Sequence, residues 1–355
     1  MDSTTPILLW YGHAPAGTPQ RPVLGLALVR RAVLSAQDAG FRRIVVAVRE
    51  TDLPVVRAGL HGDPRIDADL TVLEAPADAS GAVEHLLPGG TGELVVALGD
   101  RVWAPGALDP LLVPLPPGLA ARLLRADPGA GRGDEPSGLA RVRAGRLAGL
   151  PLRRDLDPDD AVAALGGPEH VELADVVSSW LPVRRPDDVL PAETFLMESP
   201  ALPPRGVLAS HAVHPLVAPL SRRLARRRAP PGAFLLLALA LGVGSGPLAW
   251  GGTRPGYVAA AACLAVACLL RALAGELARL GHLAAPRFAR LHALVADALA
   301  LSFFAGLFHG LDRGAGRVPW GTIGLGVLGA CGVATLVRHL RLGTRRCGGT
   351  SSGQA

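Results

Sequence analysis

Four apolar stretches in the later part of the chain, Ala233 to Trp250, Tyr257 to about Leu273, Leu291 to Phe308 and Gly321 to Val337, limit most strongly what it can fold into. Each is near the lower end of the ~17 to 25 residues that cross a bilayer as a helix, and together they predict an all-α transmembrane bundle of about four helices. Charge divides the chain close to where these stretches begin. Residues 1–198 hold 19 Arg against 27 Asp and Glu, a balance of −8. Residues 199–355 hold 17 Arg against three acids, Glu276, Asp297 and Asp312, a balance of +14.

The placement of the arginines sets the predicted orientation. Arg222, Arg223, Arg226, Arg227 and Arg228 precede the first stretch, Arg279, Arg287 and Arg290 lie in the second connection, and Arg338, Arg341, Arg345 and Arg346 follow the fourth. The remaining connections, Gly251 to Gly256 and Gly310 to Pro319, hold only Arg254, Arg313 and Arg317. By the positive-inside rule both termini are cytoplasmic, and the protein is expected as a multi-pass protein of the inner (plasma) membrane, with the phospholipid bilayer as its first partner. Arginines set between apolar runs argue against nucleic acid as a partner, since a nucleic-acid surface presents its cations on a polar face with exposed aromatics.

Other features narrow the chemistry. The chain contains no lysine, which removes any mechanism that needs a lysine amine. Met-Asp-Ser-Thr-Thr-Pro at the amino terminus has neither a basic start nor an apolar core, so no cleaved signal peptide is expected. Cys263, Cys268, Cys331 and Cys347 show no CxxC spacing, so neither a zinc site nor a disulfide framework is expected. Residues His211 to Arg228 alternate apolar and basic, which suits a helix on an anionic leaflet and equally a topogenic arginine cluster; Pro215 and Pro219 argue against one continuous helix. Small-residue runs at Ala259 to Ala262 and Gly321 to Gly332 allow close helix contact, within the bundle or with a partner.

The first half reads as a cytoplasmic α/β domain. Ile7 to Trp10 is a short apolar run, Leu26 to Asp38 has helical periodicity, and Ile44 to Val48 is a buried-strand pattern, a β-α-β opening. Helices over Leu53 to Leu60 and Gly81 to Leu87 then alternate with strands at Leu70 to Leu73 and Leu94 to Leu98, the last ending in Gly99-Asp100. Such alternation predicts a mainly parallel sheet in three layers, with ligands at the carboxyl ends of its strands. Asp127 to Pro136 reads as a loop, Leu139 to Leu150 as a small hairpin, and Asp157 as the cap of a short helix with Pro158 at its first position. The expected domains are 1–183 (α/β), 184–210 (connector), 211–230 (basic juxtamembrane segment), 231–340 (membrane domain) and 341–355 (disordered tail).

Pro22-Val-Leu-Gly25 leading into Leu26 to Gly40, with Leu94 to Asp100, resembles the nucleotidyltransferases that join a sugar or inositol phosphate to a nucleoside triphosphate. That resemblance implies that Arg21 meets phosphate and Asp100 holds magnesium; a turn is the competing reading for Gly99-Asp100, and a loop histidine for His13. The family's glycine-rich loop here reads Tyr11-Gly-His-Ala-Pro-Ala-Gly-Thr-Pro-Gln-Arg21-Pro22, where three prolines each remove a backbone donor from a phosphate cradle.

In the second half, Arg271-Ala-Leu-Ala274-Gly275-Glu276-Leu-Ala278-Arg279, followed by Ala289, Ala293 and Asp297, resembles the CDP-alcohol phosphatidyltransferases and their pattern DxxDGxxAR…GxxxDxxxD. Gly275, Ala278, Arg279 and Asp297 match; Arg271, Ala274 and Ala293 stand where the family has its first three aspartates. The layout is similar to the fusion of an inositol-phosphate cytidylyltransferase to such a membrane domain, shortened at the carboxyl end. In the family the aspartates hold a divalent metal against the pyrophosphate of a CDP-linked donor, and the last one helps deprotonate the acceptor alcohol.

The resemblance therefore implies a catalytically degenerate binding or regulatory subunit in phospholipid biosynthesis. No cofactor is expected, with Asp297 and Glu276 the only acids left for an ion. Arg271, Arg279, Gly275 and Glu276, with Arg21 and Asp100 in the first half, are the candidate contacts for a CDP-linked lipid or a nucleotide. An intact membrane transferase or a second copy of the chain are the candidate partners. Two alternatives stand beside this reading: an active transferase releasing CMP, with Asp297 as base and magnesium as cofactor, and a membrane-tethered protein-interaction module.

Overall fold

The chain enters its first sheet at once, because Ile7–Trp10 (β1) is apolar at four consecutive positions and all four are buried. Successive strand residues point to opposite faces, so burial of every one means that both faces of the sheet are covered. A computed structural model of the protein describes residues 5–75, 92–126, 136–149, 158–176, 180–199, 214–283 and 286–314. These fall into two compact units that divide near residue 209.

The first unit is the expected α/β domain. After β1 come a small ribbon of Pro22–Val23 (β2) and Leu26–Ala27 (β3), the helix Leu28–Ala39 (α1), the strand Arg43–Val48 (β4), the helix Leu53–Leu60 (α2) and the strand Asp69–Glu74 (β5). Gly40 ends α1 in a left-handed conformation, its N–H returning to the carbonyls of Ala36 and Gln37. Further along lie Glu93–Leu98 (β6), Arg101–Trp103 (β7), Ala121–Ala126 (β8), Pro136–Arg143 (β9), the helix Pro158–Ala164 (α3), Val171–Val176 (β10), Trp180–Pro182 (β11) and the helix Val189–Glu198 (α4).

The main sheet has seven strands in the order β10-β8-β9-β6-β1-β4-β5. All pairings are parallel except those of β9, which runs against β6 and β8. Chain order reverses direction beside β1: β4 lies on one side and β6 on the other, with Ile7 level with Ile44 and with Val95. This is the topological switch point of an open sheet, where a crevice opens beyond the carboxyl ends of the strands. Leu8, Trp10, Val45, Val96, Leu123, Ala140 and Val142 belong to one core cluster on this sheet.

Three sequence readings need correction in this unit. Leu139 to Leu150 is not a hairpin: Pro136 to Arg143 is one strand in the middle of the sheet, followed by a 3-10 turn over Ala144–Gly149. Its alternating arginines survive there because Arg141 pairs with Glu93 at 2.7 Å and donates to the Leu111 carbonyl at 2.7 Å. The stretch read as a connector from Arg184 contains α4, with Ala192, Leu196 and Met197 buried. Leu26 and Ala27 form β3 rather than the first turn of α1. The predicted helix Gly81 to Leu87, the loop over 127–135 and the Asp157 cap lie outside the described residues.

The second unit is helical. His214–Arg226 (α5) runs on through Pro219, contrary to the break expected from two prolines: Pro215 falls within the first turn, where its missing N–H is no loss, and Pro219 removes one backbone bond without ending the helix. Pro231–Trp250 (α6), Arg254–Leu280 (α7) and Pro286–Gly314 (α8) are each long and apolar enough to cross a membrane. At 1.5 Å per residue, the 20 residues of α6 match a hydrocarbon layer of about 30 Å, whereas the 27 and 29 residues of α7 and α8 overrun it. The helices α7 and α8 are thus longer than their apolar stretches, and the motif from Arg271 to Arg279 continues α7 without interruption. The fourth predicted span and the tail lie outside the described residues.

Small residues bring α6 and α8 together. A Cβ on Gly306 would meet the Gly246 carbonyl at 2.0 Å, so the backbones touch where neither residue has a side chain. Leu235, Ala267, Ala274, Val295 and Leu299, drawn from all three helices, form the buried cluster.

Candidate functional site

Two places have a claim to be a site, one in each unit. In the α/β domain it is the crevice at the switch point, built from the segment after β1 and the turn after β6. Gly99 lets these approach, since a Cβ there would lie 2.1 Å from the Tyr11 ring. Asp100 follows with its side chain fully buried. His13 Nε2 stands 3.0 Å from Asp100 Oδ2, Arg184 Nε donates to the same oxygen at 2.6 Å, and Arg101 Nε lies 3.4 Å from Oδ1. Burial works to raise the Asp100 pKa, but His13, Arg101 and Arg184 outweigh it and hold the carboxyl well below the usual carboxylate range.

Tyr11 is the counterpart. Burial, and then the Asp100 charge, push its phenol well above the usual tyrosine range, so it stays un-ionised. Its buried hydroxyl has no hydrogen-bond partner among the described residues.

Much of the loop after β1 is held by its own backbone. Ala14, Thr18, Gln20 and Arg21 donate their N–H groups to the carbonyls of Tyr11, Pro15, Gly17 and Thr18, and the Gly17 N–H goes to Asp52 Oδ1 at 3.0 Å. A phosphate cradle needs such donors aimed at the ligand, and here five of them bind the protein. Arg21 turns away too, donating from Nη1 to the Val183 carbonyl at 3.1 Å. Magnesium, which the nucleotidyltransferase resemblance implies at Asp100, requires several oxygen ligands; one carboxylate already faced by two guanidinium groups and a histidine does not fit it.

In the helical unit the sequence singled out Arg271, Gly275, Glu276, Arg279 and Asp297. Glu276 and Arg279 come together as an ion pair one turn apart, with Arg279 Nε donating to Glu276 Oε2 at 3.3 Å. Arg271 is held by a residue that sequence reasoning missed. Its Nη1 lies 3.4 Å from His292 Nδ1, while His292 Nε2 lies 3.1 Å from the Arg271 carbonyl. Because a carbonyl can only accept, that geometry places the proton on Nε2 and leaves Nδ1 to accept from the guanidinium. Gly275 makes room for the ring, since a Cβ there would meet His292 Nε2 at 3.1 Å.

Ala274 is fully buried in the apolar cluster of the three helices. Asp297 lies two residues from Val295 and two from Leu299, hence about 160° from each around α8, and is half-buried. Among the described residues no three His, Cys, Asp or Glu side chains gather as a metal site would require. The divalent ion implied by the phosphatidyltransferase resemblance meets alanine, a tethered guanidinium and an acid already paired with Arg279.

No family model matches the chain, and no curated protein matches it. Among solved structures it is similar to a protein described as a glucose-1-phosphate thymidylyltransferase from Bacillus anthracis in complex with sucrose, with 15% identity, 55% of this chain and 95% of that one covered, and a TM-score of 0.43. It is similar also to the inositol-1-phosphate CTP transferase from T. maritima, with 15% identity, 56% and 98% of the two chains covered, and a TM-score of 0.42. HddC from Yersinia pseudotuberculosis is a third, at 13% identity, 54% and 98% coverage and a TM-score of 0.40.

Proposed function

We propose that the chain is a catalytically degenerate binding or regulatory subunit in phospholipid biosynthesis: a nucleotidyltransferase-like cytoplasmic domain joined to a phosphatidyltransferase-like membrane domain, both without a working metal site. The observation that carries this reading is Ala274. The position where the resemblance puts a metal-binding aspartate is fully buried among Leu235, Ala267, Val295 and Leu299. One turn earlier Arg271 is anchored to His292, so the same stretch of α7 offers a cation instead of an anion.

Such an arrangement suits the binding of phosphate oxygens better than the turnover of a pyrophosphate. Arg271 and Arg279 are the residues that meet the anionic group of a CDP-linked lipid or nucleotide in this reading, with an intact transferase or a second copy of the chain as protein partner. The protein sits in the inner membrane with the α/β domain and carboxyl terminus in the cytoplasm.

The test is a turnover assay on the purified full-length protein in lipid nanodiscs, with CDP-diacylglycerol, magnesium and a panel of acceptor alcohols. The expected result is no CMP release, with saturable nucleotide-lipid binding that weakens in Arg271→Ala. Magnesium-dependent CMP release abolished by Asp297→Ala would overturn the reading and establish an active transferase.

A further inference from the structure

We infer that Arg184 occupies, on the Asp100 carboxylate, the place a divalent cation takes in a metal-dependent site, so that the α/β domain keeps its strand-end geometry with an internal counter-ion and excludes metal. This deepens the reading of that domain as metal-free and does not depend on what the membrane domain binds.

Strand pairing delivers the guanidinium. β11 pairs antiparallel with β7, setting Pro182 opposite Arg101, and the next residue, Val183, donates its N–H to the Asp100 carbonyl at 2.6 Å. Residue 184 therefore emerges beside the Asp100 side chain. The N–H groups of Arg184 and Arg185 both donate to Asp188 Oδ2, at 2.8 and 2.6 Å, which fixes the turn that presents the side chain. The guanidinium then donates from Nε to Asp100 Oδ2 at 2.6 Å.

The two arginines on Asp100 differ in access. Arg101 is 1% exposed and runs beneath β9 at Gly138, where a Cβ would meet its Nε at 2.8 Å. Arg184 is 37% exposed and closes the solvent side of the carboxylate, the side from which a hydrated ion would arrive. A fully buried carboxylate needs a partner charge, and this one has cationic neighbours at both oxygens. A dication added beside Arg101 and Arg184 would meet repulsion from both. Removing Arg184 takes away the nearer of the two guanidinium groups and opens the solvent side of Oδ2, with His13 Nε2 still beside that oxygen.

Manganese binding by the full-length protein in detergent, followed by electron paramagnetic resonance, tests this, with Asp100→Asn reporting which ions depend on the carboxylate. Wild type is expected to bind no manganese that Asp100→Asn removes. Arg184→Ala is expected to gain one equivalent, lost again in the Arg184→Ala/Asp100→Asn double variant. An Asp100-dependent ion in the wild type overturns the inference, as does a folded Arg184→Ala protein that stays free of manganese. Should Arg184→Ala not fold, Arg184→Gln carries the same comparison, and the wild-type arm needs no Arg184 variant. Release of CMP is read through Asp297, so failure of the proposed function and failure of this inference are separate results.

Discussion

Ser302 on α8 donates its hydroxyl to the Val243 carbonyl of α6 at 2.8 Å, a bond between two helices placed beside the contact of Gly246 with Gly306. Polar bonds of this kind contribute about 0.6 kcal/mol inside membranes, whereas close backbone approach decides whether the helices meet at all.

Gly306→Val is therefore expected to separate α6 from α8, because its Cβ would fall 2.0 Å from the Gly246 carbonyl oxygen. Thermal unfolding in detergent should drop sharply for Gly306→Val and by only a few degrees for Ser302→Ala. Equal effects of the two would mean that the hydroxyl, and not the close approach, holds the pair.

Restoring the family's acid at position 274 should harm the protein. Ala274 is fully buried among apolar side chains, and an uncompensated charge placed in such surroundings costs about 3 kcal/mol. Ala274→Asp is expected to lower detergent stability by roughly that amount without creating CMP release. A stable Ala274→Asp protein that binds magnesium would show that the site is open.

The Asp100 pairing has a pH signature. Its folded pKa is depressed, so the stabilisation is fully present above the unfolded value of about 3.9 and is lost as pH falls below it towards the folded value. Asp63, lowered by its hydrogen bond to Arg65, acts in the same direction. The share of the melting temperature that Asp100 supplies, read by tryptophan fluorescence as the difference between wild type and Asp100→Asn, should hold level from pH 7 to about 4 and shrink below that. Asp100→Asn should melt lower at pH 7 and lose less on acidification than the wild type.

Arg141→Ala should unfold the sheet more readily. Arg141 is 4% exposed and bonds both Glu93, itself 23% exposed, and the Leu111 carbonyl, and losing such charge-assisted hydrogen bonds costs about 2 kcal/mol. Chemical denaturation of the full-length protein, read on the tryptophans of the first unit, measures it. A change under about 0.5 kcal/mol would place Arg141 among ordinary surface arginines.

Local pattern was sufficient where one segment decides its own structure. Ile7–Trp10, Leu53–Leu60 and Pro231–Trp250 carry their periodicity and their punctuation within a few residues, and the structure places elements there. β9 was illegible for the opposite reason: Arg141 looks solvent-facing until Glu93, 48 residues earlier, is seen to neutralise it. The partners of Asp100 were hidden likewise, Arg184 being 84 residues away and brought in by the pairing of β11 with β7. His292 lies 21 residues from Arg271, and no motif joins them.

Five backbone donors of the loop from Tyr11 to Arg21, those of Ala14, Gly17, Thr18, Gln20 and Arg21, are spent on its own turns and on Asp52, which gives the loop a form of its own. Those five amides should exchange slowly with solvent in the isolated protein. Whatever docks against this segment meets a finished surface and loses little freedom in doing so, which makes fit of outline, rather than induced ordering, the basis of recognition.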